Sequence, residues 1–250
     1  MPIPPSLRVN LCINHYDMQR SGRSPSSQVS ACFENLGILL LPMTASFPDI
    51  QNIHSLLTDA PIEVVRQTVL DLFCQVAYKE GDFLLSSGQR STYYINGKQV
   101  TLHPQGGALI GRLVLPLLAD DVKAVAGLTL GADPIVTAAS VVGAYEGRSL
   151  TALIIRKEAK GHGTQAYIEG PQLLPDTPVA VLEDVVTTGQ SALKAVNRLR
   201  EAGYRVNQVI ALVDRLQGGA ELYQEAGLEF KAMFSITDLQ TRWREMNQAN

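Results

Sequence analysis

The chain is expected to be α/β: a doubly wound parallel sheet with a small amino-terminal hood. Three observations predict it. From residue 122 onward, short apolar runs alternate with stretches of helical spacing. The runs at 122–126, 150–155, 179–182 and 206–213 are largely apolar at successive positions, the pattern of strands buried on both faces. Ahead of them, residues 81–98 alternate about a Ser-Gly turn, which predicts a hairpin with polar edges.

Size and composition narrow the function. At 250 residues, 46% apolar and 18% charged, the chain can bury a substantial core. A net charge of −3 gives no basic field for nucleic acid. Cys12, Cys32 and Cys74 lie far apart and match neither a zinc pattern nor a disulfide framework, so a reducing, cytoplasmic setting is expected. The apolar run at 36–43 is too short to span a bilayer, and no membrane partner is expected.

Residues 1–57 stand apart. Pro2, Pro4, Pro5, a Ser/Arg/Gln-rich segment at 19–30 and the lack of any period predict an unstructured extension, or a start misassigned upstream of Met43. Arg8, Arg20 and Arg23 against Asp17 have the balance of a targeting peptide, but no small-residue cleavage site follows. The folded domain is expected over 58–250. Asp59 and Pro61 open a helix whose apolar stripe (Ile62, Val65, Val69, Leu72, Phe73, Val76) runs to about Tyr78. After the hairpin, His103-Pro104 starts a helix through Leu109, Ile110, Leu113 and Leu117. Beyond the strand at 122–126, the glycines of 127–134 allow a close backbone approach, and a small-residue helix covers 135–145.

The strand at 150–155 ends in Arg156, Lys157, Lys160 and His162, interleaved with glycines, and loop composition continues to Pro178. Such a run can surround a polyanion. The plain alternative is a solvated basic loop, and the length of this one argues for function. The strand at 179–182 leads into Glu183 and Asp184, then Val185 and Val186, then Thr187, Thr188, Gly189, Gln190 and Ser191. A small-residue turn entering a helix is an anion cradle, here with carboxylates beside it. Neither a Walker A loop nor a dinucleotide fingerprint occurs. A helix over 191–202 stops at Gly203, and the strand at 206–213 presents Asp214 and Arg215 at its end. Gly218-Gly219 begins a short helix, 228–236 is the last strand and 239–246 the closing helix.

Taken together, three of these strings resemble a known family. The string at 179–191 is similar to the phosphoribosyl-pyrophosphate (PRPP) signature of type I phosphoribosyltransferases. Arg-Lys-x-x-Lys-x-His at 156–162 resembles the catalytic loop of the orotate phosphoribosyltransferases, and Ser-Gly-x-x-Ser-x-Tyr-Tyr at 87–94 resembles the hood over their base. The resemblance covers about residues 60–246. It implies the fold of that family and transfer of the phosphoribosyl group of PRPP to orotate, with pyrophosphate leaving. It implies PRPP binding by Arg156, Lys157, Lys160, His162, Glu183, Asp184 and the run Val185, Val186, Thr187, Thr188, Gly189, Gln190 and Ser191. Lys160, His162 and Asp184 would be catalytic, and Thr187 and Arg215 would bind orotate. Mg²⁺ is expected, held mainly by substrate oxygens, as is a homodimer whose sites are shared across the interface.

The chain departs from the family at Ser86, where many members have lysine, and at Leu130-Gly131, where some have Tyr-Lys. No lysine contact is carried to either place. Two other readings are a phosphoribosyltransferase for another base and a PRPP-sensing regulator. The regulator would need an added DNA-binding domain or a basic face, and residues 1–57 show neither helix pairs nor basic density.

Overall fold

The computed structural model describes residues 50–84, 90–159 and 167–248. The chain divides into Met1–Phe47 and Pro48–Asn250. The first unit lies outside the described residues, as does most of the predicted extension. A short helix stands at the expected boundary at 58. Helix α1 spans Ile53–Thr58, and Arg112 anchors its end by donating to the carbonyls of Leu56 and Ala60. Helix α2, Ile62–Leu72, buries Val65, Val69, Leu70 and Leu72. It does not run to Tyr78. A wide π turn over Phe73–Ala77 turns Phe73, Cys74 and Ala77 inward together, and Tyr78 opens a strand.

That strand, β1 (Tyr78–Leu84), pairs antiparallel with β2 (Arg90–Ile95) to form the expected hood hairpin. Its tip, residues 85–89 with Ser86, lies outside the described residues. Alternation along β2 leaves Ser91, Tyr93 and Ile95 half-buried. Tyr93 stacks on Tyr78 with ring centroids 6.0 Å apart, and Tyr78 meets Trp243 edge-on at 6.1 Å. Helices α3 (Lys98–Thr101) and α4 (Pro104–Val114) lead from the hood into the sheet domain.

There the order is β3 (Ala124–Leu128), α5 (Asp133–Tyr145), β4 (Thr151–Ile155), β5 (Ile168–Glu169), β6 (Pro178–Val186), α6 (Gln190–Glu201), β7 (Arg205–Asp214), α7 (Gly219–Glu225), β8 (Glu229–Ser235) and α8 (Ile236–Gln248). The sheet runs β5-β4-β3-β6-β7-β8. Strands β4, β3, β6, β7 and β8 are joined by parallel pairings, as expected. β5 corrects the reading of 156–178 as loop. It lies antiparallel on β4, with Ile154 opposite Glu169, so the sheet is mixed at that edge. Two residues carry no periodic signal, which is why this strand was not legible.

The crossovers β3-α5-β4 and β6-α6-β7 leave the centre of the sheet in opposite directions. Right-handed connections therefore put α5 and α6 on opposite faces. Ala192, Ala195, Val196 and Leu199 of α6 pack with Ala124, Ala126, Val179 and Val181. Between the carboxyl ends of β3 and β6 the sheet has its switch point, the place where such folds hold ligands.

Candidate active site

Strand β6 is longer than its apolar run. It continues through the acidic pair because β7 is equally long beside it, pairing Glu183 with Ala211 and Val186 with Asp214. Glu183 and Asp184 are thus consecutive strand residues and point to opposite faces. Glu183 lies on the α6 side at 6% exposure. Asp184 lies on the other, half-buried beneath the loop that follows β3. A Cβ built on Gly131 would fall 2.6 Å from Asp184 Oδ1, so only glycine lets that backbone lie on the carboxylate. The same oxygen accepts from the Val185 amide at 2.8 Å.

On the α6 face, Thr187, Thr188 and Gly189 bend into the helix. Gly189 is the N-cap at φ 79°, a left-handed conformation that favours glycine. A Cβ there would also stand 3.0 Å from the ring of Tyr223. The first capped bond of the helix runs from the Leu193 amide to the Gly189 carbonyl, at 3.1 Å. The amides of Gln190, Ser191 and Ala192 precede it and have no intrahelical acceptor. No acidic residue sits in this first turn. These amides, with Glu183, Val185, Val186, Thr187, Thr188 and Tyr223, line a pocket of about 80 Å³. Open amides, hydroxyls and the positive end of the helix dipole fit it to a phosphate.

Behind this pocket, Glu183 Oε2 and the Tyr223 hydroxyl are both buried with no hydrogen-bond partner among the described residues. Burial pushes the Glu183 carboxyl up to about 8, assisted by the negative charge of Asp184 and opposed by Lys157. Burial likewise raises the Tyr223 hydroxyl, with Glu183 and Asp214 adding to the effect. Because the folded value for Glu183 lies above the ordinary 4.5, the folded chain keeps a proton that the unfolded chain releases. Its contribution to stability is full below about 4.5 and is lost as pH rises toward about 8. Wild type is expected to lose up to about 1.4 kcal/mol per pH unit in that window relative to Glu183→Gln. Denaturant unfolding near both ends of the window measures the difference, and parallel profiles would mean that Glu183 is ionised in the fold.

At the end of β7, the Arg215 amide donates to the Val186 carbonyl at 2.9 Å, which sets Arg215 beside Thr187. Arg215 Nε donates to the Tyr93 hydroxyl of the hood at 3.0 Å, with the guanidinium 4.9 Å from that ring's centre. The string at 87–94 places Tyr93 in the hood but names no partner for it, and the alternation of β2 turns it inward. Asp214 is buried, and its Oδ1 accepts from the Leu216 amide at 2.9 Å.

At the end of β4, Arg156 is tied to Glu169 at 3.0 Å, and Lys157 is exposed. Lys160 and His162 lie outside the described residues. Glu183, Asp184 and the run 185–191 are brought together with Thr187 and Arg215 around the switch point. Among the described residues no group of three or more His, Cys, Asp or Glu could hold a metal. No helix there is long and apolar enough to cross a membrane.

No family model matches the chain. Sequence relatives do. The chain is 70% identical over 187 residues to an orotate phosphoribosyltransferase of Nostoc sp., covering 75% of this chain and 91% of the relative. It is 65% identical over 189 residues to that of Synechocystis sp., covering 76% and 96%. The crystal structure of Mycobacterium tuberculosis orotate phosphoribosyltransferase superposes with a TM-score of 0.64 at 40% identity, covering 70% of this chain and 98% of that one.

Proposed function

The chain belongs to the orotate phosphoribosyltransferase family, and from that premise we propose how its residues carry the reaction. The protein transfers the phosphoribosyl group of PRPP to orotate, giving orotidine 5′-monophosphate and pyrophosphate in pyrimidine synthesis. The observation that carries the assignment of roles is that Asp184 stands at the carboxyl end of β6, directly before the turn that forms the cradle at the switch point of the sheet.

The open amides of Gln190, Ser191 and Ala192 and the hydroxyls of Thr187, Thr188 and Ser191 hold the 5′-phosphate. Asp184 accepts hydrogen bonds from the ribose hydroxyls and opposes the positive charge that develops on the ring as the bond to pyrophosphate lengthens. Glu183 backs the same turn from beneath. Arg156, Lys157, Lys160 and His162 receive the departing pyrophosphate, with the Leu130-Gly131 backbone offering amides in place of a lysine. Among the described residues Asp184 stands without a cage of carboxylates around it, which suits a Mg²⁺ carried on PRPP's own oxygens. When bound, it supplies neutralising charge to the pyrophosphate. Thr187 and Arg215 orient orotate, with Tyr93 holding the guanidinium plane.

We further propose a homodimer in which the basic run at 156–162 serves the neighbouring site. Leu102, Leu130 and Val141, exposed at 67%, 71% and 51%, line one groove beside the β3 loop, apolar surface of the kind that subunit interfaces cover. A reducing, cytoplasmic setting accords with Cys74, a buried free thiol that donates to the Leu239 carbonyl.

Orotate consumption with PRPP and Mg²⁺, compared with other bases, tests the assignment directly. Within it, Arg215→Lys is expected to raise the KM for orotate and leave that for PRPP unchanged. A guanidinium fork meets a carboxylate at two points and an ammonium at one, a difference of about 1–3 kcal/mol. An unchanged KM for orotate would remove Arg215 from the site.

A further inference from the structure

Two features of the molecule that the mechanism treats separately meet at one side chain. Helix α6 carries the phosphate cradle at its amino end. Two turns further on, Arg198 donates through both terminal nitrogens to the carbonyls of Arg156 and Lys157, where the basic run leaves β4. The opposite side of its guanidinium problem is solved by stacking: the guanidinium carbon lies 3.8 Å from the ring centre of Tyr167, where the chain returns toward β5. A planar, always-charged group is needed to do both, since it bonds in its plane and stacks on its face. The strands beneath are cross-tied as well, by the Arg156 amide on the Tyr167 carbonyl at 2.8 Å and by the Arg156–Glu169 pair at 3.0 Å.

We infer that Arg198 is a positioning residue of this transferase. It ties Arg156 and Lys157, where the basic run leaves β4, and Tyr167, where the chain returns, to helix α6, so that these residues meet the pyrophosphate of the neighbouring site from a fixed position. The inference rests on the functional reading above, and orotate turnover by the unsubstituted chain tests that reading by itself.

The joint is tested in the reverse direction, where the two ends of the site take separate ligands. Orotidine 5′-monophosphate occupies the cradle and the base end; pyrophosphate meets the basic run. Arg198→Lys keeps the charge but gives up the fork and the flat stacking face. It is expected to raise the KM for pyrophosphate about tenfold and to lower kcat. Affinity for orotidine 5′-monophosphate and the thermal midpoint should stay at wild-type values. Tyr167→Leu attacks the same joint from the other foot and should weaken pyrophosphate selectively too, with the double variant falling short of the product of the two effects. Equal losses for both ligands would show that Arg198 only supports α6. Unchanged pyrophosphate kinetics in both single variants would show that the joint does not position the run.

Discussion

Asp184→Ala is expected to lower kcat about a thousandfold while leaving the thermal midpoint near wild type. The carboxylate is half-buried at the end of its strand, and in the proposed mechanism it opposes the positive charge that develops on the ribose ring. The substitution also makes the shared-site proposal testable. Lys160→Ala should be nearly inactive for a different reason, the loss of a cation on the pyrophosphate. If the basic run acts across the interface, a hybrid dimer carries both defects in one site and neither in the other. Random re-pairing of equal amounts makes about half the dimers hybrid, so about a quarter of all sites should recover. If the run acts within its own subunit, every site keeps one defect. No recovery after verified subunit exchange would reject the shared site.

Gly131→Ala should cost activity without costing the fold. The added methyl would occupy space 2.6 Å from one Asp184 oxygen and 2.7 Å from the other, and the carboxylate must move aside. A displacement of that size at a group meeting the transition state reduces kcat about a hundredfold. Because the damage runs through Asp184, adding Asp184→Ala to Gly131→Ala should remove much less than the two separate effects combined. Additive losses, or a large fall in the thermal midpoint, would mean that Gly131 matters to the loop rather than to the carboxylate.

Most of the sheet was legible because its strands are buried on both faces and announce themselves as apolar runs. The errors fall where function or brevity breaks that signal. Glu183 and Asp184 end the apolar run but not β6, whose length is set by pairing with β7. Strand β5 and helix α1 are short, at two and six residues, and owe their form to tertiary contacts. Within the site, the run 183–191 could be read as a unit since its residues are neighbours in sequence. Arg198 and Tyr223 could not: each reaches the site by the packing of a helix, Arg198 from 42 residues beyond the carbonyl it holds. Tyr93 lay between these cases, visible as an inward position on β2 but without its partner.

That partner, Arg215, comes from 122 residues further along the chain. The two ends of the site are thus built on different scales of the polypeptide. The sugar-phosphate end is made by one local stretch and should take shape as soon as its strand and helix meet. The base end exists only once the hairpin has docked, a long-range event with a larger loop-closure cost. With the proposed roles, substitutions in the hairpin should alter which base is accepted and leave the grip on ribose phosphate unchanged.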